Sequence, residues 1–217
     1  ADARGAMAVA TAITIAVLAG LTVRLWGTAI GLTAGTLLAL DPFSVALGQI
    51  LHVDGLLTGF MTIAALALIV YWWEHGSRWF LVLAGVATGL AILSKTPGVF
   101  ILPFAGTVTL VALVARRATF RHVILSTLAF LALVIVTYVG FWPALWLAPV
   151  EMMGRVVTFL RETGGQPHEG GSFFWGQRVA DPGPLFYPVA LAYRLGLGLC
   201  LGLVCAACGA RWLGRRG

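Results

Sequence analysis

Asp41, His52 and Asp54 fall inside one stretch, LDPFSVALGQILHVDGLL at residues 40–57, of a chain that is otherwise strongly apolar. Lys95 sits in a second polar stretch, SKTPG at 94–98. A third, longer segment at 147–185 carries His168 and the aromatic run Phe173, Phe174 and Trp175. Carboxylates and imidazoles move protons, and an ammonium holds anions. An ionisable group at the mouth of an apolar helix is a functional candidate by default, and a lysine there suits a phosphate. Plainer roles stand beside these. Asp54 can act only as an N-cap for a helix starting near Gly55. Lys95 can simply snorkel to lipid headgroups, and His168 can be an ordinary loop histidine. Arg194 lies within an apolar run, where a guanidinium is costly unless it meets a polar group or a ligand.

The surroundings decide which solvent these groups face. The chain has 217 residues, 60% hydrophobic and 10% charged, against about 25% charged in a soluble domain. Its mean hydropathy is +0.97. The composition excludes an ordinary soluble fold, so the net charge of +6 is a matter of topology and not of nucleic-acid binding. Cys200, Cys205 and Cys208 share one apolar run with no His or acid beside them. They fit packing between helices better than a metal site. The opening ADARGAMAVA lacks an initiator Met and a basic leader region, and the chain is expected to be part of a longer protein.

Apolar runs near Ala6–Val23, Leu25–Leu40, Gly55–Trp73, Trp79–Leu93, Val99–Ala115, Val123–Trp146 and Phe186–Ala207 predict about seven spans. A span needs about 20 apolar residues, so Leu25–Leu40, bounded by Gly27 and Pro42, is short for one. Alternating sides then place Arg24, Arg78, Arg116, Arg117, Arg121, Arg211, Arg215 and Arg216 together on one face. Short Arg-rich loops face the cytoplasm, which makes the face of Asp41, Asp54 and Lys95 external or periplasmic. Pro42 predicts the end of a helix at Asp41, with a short interfacial helix after it. Gly85-x-x-x-Gly89 and Gly198-x-x-x-Gly202 predict close helix–helix approach. In the loop at 147–185, VEMMGRVVTFLRE predicts an amphipathic interfacial helix, with Glu151 and Arg155 at i,i+4 spacing. The glycine-rich and aromatic part that follows predicts a loop packing back on the membrane mouth.

LALDPFSVALGQILHVDGLL followed by GLAILSKTPGVFILPF resembles the phospholipid-carrier-dependent glycosyltransferases related to protein O-mannosyltransferases. FFWGQRVADPGPLFYPVALAYRLG resembles their return from loop to membrane. The resemblance runs from about Arg4 to Leu203. It implies an all-α polytopic bundle of the GT-C type across residues 1–217. It also implies transfer of a sugar, mannose being the candidate, from a polyprenyl-phosphate donor to a protein or lipid acceptor on the external face. By position it makes Asp54 an auxiliary catalytic acid and assigns Lys95, His52 and Arg194 to the donor phosphate. His168 and Tyr187 become candidates in the substrate loop. The family's principal acid lies in a first external loop that precedes everything here. The resemblance therefore implies either a partial chain or a copy that is inactive alone. No cofactor is implied and no metal ligands are assigned. The expected location is integral and multi-pass in a membrane, the plasma or inner membrane if the protein is bacterial. A transporter or lipid flippase is the alternative, and a non-catalytic scaffold a third reading. Polar groups gathered at helix ends, away from the midplane sites of transporters, favour the transferase.

Overall fold

The computed structural model describes residues 2–49, 53–74, 77–163, 172–194, 200 and 202. The chain divides into two units, Ala1–Pro143 and Ala144–Gly217. His52, His168, Gly198, Cys205 and Cys208 lie outside the described residues.

The first unit is a bundle of apolar helices: α1 (Asp2–Trp26), α2 (Thr28–Leu40), α3 (Pro42–Gln49), α4 (Val53–Trp73), α5 (Arg78–Ser94), a 3-10 turn (Thr96–Phe100), α6 (Ile101–Val114) and α7 (Phe120–Gly140). Among the described residues four stretches are long and apolar enough to cross a membrane: Arg4–Trp26, Val53–Trp73, Thr96–Val114 and Phe120–Gly140. Thr28–Leu40 and Arg78–Ser94 are apolar but shorter. The expected run Val123–Trp146 is broken, because α7 ends at Gly140 and Pro143 opens a separate short helix, α8 (Pro143–Leu147). Proline fits the first helical position, where its missing N–H loses no bond. Of the expected seventh run, α10 (Phe186–Arg194) is helical, and most of the remainder lies outside the described residues.

The bundle is built around α4, which contributes Ile63, Ala64, Ala67, Leu68, Val70, Tyr71 and Trp72 to the core. Leu18 and Leu21 of α1, Ala84 and Ala87 of α5, Ala105 and Val108 of α6, and Phe130 and Val134 of α7 pack into the same core. Large apolar side chains also cover the outside, among them Ile13, Ile30, Leu128, Ile135 and Val136. An apolar exterior on an apolar core is what lipid solvation requires. Lipid supplies no hydrophobic drive between helices, so small residues that let backbones approach must hold them together. A methyl group at Gly85 would lie 2.6 Å from Leu133 Cβ, and one at Gly89 would lie 2.6 Å from Thr137 Cβ. The expected Gly85/Gly89 face is thus the seam between α5 and α7. Gly31 and Gly35 of α2 meet Val23 and Ala19 of α1 in the same way. Gly27, at φ 89°, makes the tight reversal between those two helices.

In the second unit α9 (Pro149–Thr163) is the expected amphipathic helix. Met153, Val156, Val157 and Leu160 fall on one side of it at i, i+3, i+4 and i+7. Glu151, Arg155, Thr158 and Glu162 fall on the other, and Arg155 Nη2 donates to Glu151 Oε1 at 2.7 Å. The aromatic loop corrects the sequence reading. It contains a hairpin, β1 (Ser172–Phe174) paired antiparallel with β2 (Gln177–Val179), in the register Phe173 opposite Arg178. Trp175 and Gly176 form its two-residue turn at φ 52° and 82°, the positive angles that match strand twist. Among the described residues everything outside this hairpin is helix or connection.

Candidate functional site

Local chemistry at the Asp-Pro sequence explains why the chain turns here. Asp41 ends α2 in an extended conformation, and its Oδ2 accepts a hydrogen bond from Ser44 N at 2.8 Å. One residue therefore stops one helix and caps the next, with Pro42 at the first position of α3. Asp54 has another job. α4 is already helical at Val53, so Asp54 lies in the first turn and not at the cap. Its carboxylate there faces the positive end of the helix dipole.

Lys95 follows the last residue of α5, with an extended backbone at φ −165° and ψ 150°. Pro97 disfavours helical geometry at Thr96. Gly98 folds so tightly under the end of α5 that a side chain there would strike the Ala91 backbone. Gly98 N donates to Lys95 O at 2.9 Å, closing the turn. This turn aims the lysine across the helix ends, and Lys95 Nζ donates to Asp54 Oδ1 at 2.9 Å. The two side chains are 48% and 41% exposed. Forty-one residues of chain separate them, yet the antiparallel pairing of α4 and α5 brings the start of one beside the end of the other.

Two apolar recesses lie on the side of this end formed by α1 to α4. One, of about 280 Å³, is lined by Thr14, Leu18, Leu38, Gly55, Leu56 and Thr62 among others. It reaches the residue next to Asp54. The other, of about 500 Å³, runs between α1, α2 and α3 past Ala12, Ala16, Leu32, Gly35 and Ala39. Thr11, Ile15 and Ser44 line both, so the two recesses adjoin. The arrangement places a cation and a carboxylate at the polar end of an apolar groove. That chemistry suits an amphiphile with an anionic head.

Of the six residues singled out in the sequence, the structure brings Asp54 and Lys95 together. It sets neither of them in the lining of those two recesses, so the pair stands beside the groove and not within it. Tyr187 is exposed on α10, and Arg194 is the last residue of that helix. Both belong to the second unit. His52 and His168 lie outside the described residues. Sequence reading missed a polar cluster at the other end of the bundle. There Tyr71 Oη shares hydrogen bonds with Ser126 Oγ at 2.6 Å and His122 Nε2 at 3.1 Å. No local spacing announces it, because its members lie on α4 and α7, more than fifty residues apart.

The family model described as dolichyl-phosphate-mannose-protein mannosyltransferase matches residues 2–142. That match spans α1 to α7 with both Asp54 and Lys95. The hairpin and α10, which carry the phrase PGPLFYPVAL in their vicinity, lie beyond the matched residues. No curated protein and no solved structure matches the chain.

Proposed function

This chain belongs to the dolichyl-phosphate-mannose-protein mannosyltransferase family, and on that footing we propose that it transfers mannose from a polyprenyl-phosphate donor at the Asp54–Lys95 end of the bundle. Membership makes it an integral membrane glycosyltransferase of the mannosyltransferase type. The rest is our reading: a multi-pass topology, an external or periplasmic active face, and a protein or lipid hydroxyl as acceptor.

The observation that supports it is the Asp54–Lys95 ion pair standing beside an apolar groove that reaches Gly55. The polyprenyl chain lies along the apolar recesses, with its phosphate toward Lys95. The acceptor oxygen forms a bond to the anomeric carbon as the bond from that carbon to the phosphate oxygen breaks, with inversion. The acceptor's proton passes to a carboxylate, and the lipid phosphate leaves carrying the extra negative charge. Lys95 stabilises that charge as it develops, which is where a preorganised cation contributes most. Asp54 holds the ammonium in place and acts as an auxiliary acid. Its Oδ1 already accepts a hydrogen bond from Lys95, so the main base toward the acceptor is a different carboxylate. His52 and Arg194 are further candidates for the phosphate, and His168 and Tyr187 for the substrate loop.

Turnover of polyprenyl-phosphate-mannose by the protein in vesicles tests this directly. Lys95→Ala and Asp54→Asn should each lose most of it while the protein remains folded. Full turnover by Lys95→Ala would remove the lysine from the donor site.

A further inference from the structure

At the end of the bundle opposite the Asp54–Lys95 pair, the Tyr71 cluster opens on a recess of about 740 Å³. Its polar lining is Arg78, Arg117, His122 and Ser77, and its apolar walls include Trp72 and Trp79. No acidic side chain of the described residues lines it, and Glu74, four residues before Arg78, is exposed outside the lining. Among the described residues neither Arg78 nor Arg117 has a carboxylate partner within salt-bridge distance. The floor is built rather than incidental. Tyr71 is 7% exposed, and its hydroxyl is fixed to both Ser126 and His122. The His122 ring stands edge-on to Trp72 at 5.7 Å between centroids. Trp72 is 4% exposed, and its indole N–H finds no acceptor among the described residues.

The depth of the recess identifies what it meets. It forms where α4 ends and where α5 and α7 begin, which is where the apolar runs stop. Trp79 is 76% exposed at its edge, an amphipathic ring of the kind that settles at the headgroup level. Two guanidiniums presenting forked donors match the oxygens of a phosphate. A basic pocket between apolar helices at that level takes the head of an anionic lipid. We propose that this recess binds the phosphate headgroup of an anionic phospholipid, with Arg78 and Arg117 on the phosphate and Trp79 against the glycerol and upper acyl region. Given the donor site proposed above, this lipid is a bound companion of the bundle and not the sugar donor, because it sits at the end away from Asp54 and Lys95. Only that distinction rests on the proposed function; the binding of an anionic headgroup here does not.

Native mass spectrometry of the delipidated protein, after exposure to phosphatidylglycerol or to phosphatidylcholine, provides the test. The unmodified protein should retain phosphatidylglycerol preferentially. Arg78→Ala and Arg117→Ala should each weaken retention about fivefold and together about thirtyfold, as expected for cations at an anionic interface. Arg121→Ala removes a charge from the same end outside the lining and should leave retention unchanged. Equal retention of the two lipids by the unmodified protein would overturn the proposal without recourse to any variant. An equal loss in Arg121→Ala would reduce the effect to general charge attraction and overturn it as well. Inorganic phosphate serves as a separate probe. If it binds in an Arg78- and Arg117-dependent way while phosphatidylglycerol is not retained, the site is one for free phosphate and the lipid is ruled out.

Discussion

Lys95 and Asp54 are each about half exposed, and that fixes how their loss should divide between stability and activity. An exposed ion pair contributes about 0.2–1 kcal/mol. Removing one preorganised donor to a developing oxyanion costs about a hundredfold to a thousandfold in rate. Lys95→Ala is therefore expected to move the thermal unfolding midpoint in detergent only slightly while turnover falls by about two orders of magnitude. Asp54→Asn should fall by less than Lys95→Ala, since it acts by holding the lysine. The double variant should be little worse than Lys95→Ala alone, because coupled residues are not additive. Additive losses would mean that the two work separately. Part of this was legible in the residues: Lys95 broke the charge pattern of the other short connections, and Asp-Pro announced a stop. Span alternation also set Asp54 and Lys95 at the same depth on one face, where they could share a site, and the 2.9 Å contact agrees. A common cavity around them does not appear among the described residues, since neither lines the neighbouring recesses.

At the scale of elements, the small-residue seam between α5 and α7 was readable as spacing, and the structure supplies its partners. Leu133 Cβ and Thr137 Cβ stand where side chains at Gly85 and Gly89 would go. Overpacking such a contact costs about 1–3 kcal/mol, so Gly85→Leu or Gly89→Leu should lower the unfolding midpoint clearly. Gly106→Ala, in α6 with nothing within 4 Å, should hold or raise it, because alanine favours helix over glycine. Equal losses at all three sites would deny the seam its role. The hairpin at Ser172–Val179 is less legible, since FFWGQ shows no alternation and its aromatics among glycines suit a loop equally well. The turn residues Trp175 and Gly176 were the available signal. For α9 the periodicity was clear, and it predicts a helix lying in the membrane surface. Nitroxide labels in reconstituted vesicles can measure this. A label at Val157 should collide mainly with dissolved oxygen, and one at Thr158 with a water-soluble nickel chelate. Equal exposure of both to the chelate would place α9 in water.

Across the first unit, charge is sorted by helix end, Arg4 near the start of α1 and Glu74 just after α4 being exceptions. Arg24 closes α1, Arg78 opens α5, Arg116 and Arg117 follow α6, and Arg121 lies in the first turn of α7. α2 doubles back along α1, with Gly31 against Val23 and Gly35 against Ala19, and α4, entered after α3 with Gly59 against Thr14, runs again in the direction of α1. All five arginines therefore gather at the end where α4 finishes, and Asp41, Asp54 and Lys95 gather where it starts. Sequence alternation anticipated that sorting, but it could not count the spans, because Thr28–Leu40 and Arg78–Ser94 are short and the run after Val123 breaks at Pro143. Arg-rich short connections stay on the cytoplasmic side, so the Asp54–Lys95 end should face outward. A variant lacking Cys200, Cys205 and Cys208 allows single cysteines to report this. A cysteine in place of Thr96 should react in sealed, right-side-out vesicles with a maleimide that cannot cross the membrane. A cysteine in place of Thr119 should react only after the vesicles are opened. The reverse pattern would put the ion pair on the cytoplasmic side and move the proposed transfer there. Reaction of both in sealed vesicles would mean that the stretch Thr96–Val114 does not carry the chain across the bilayer.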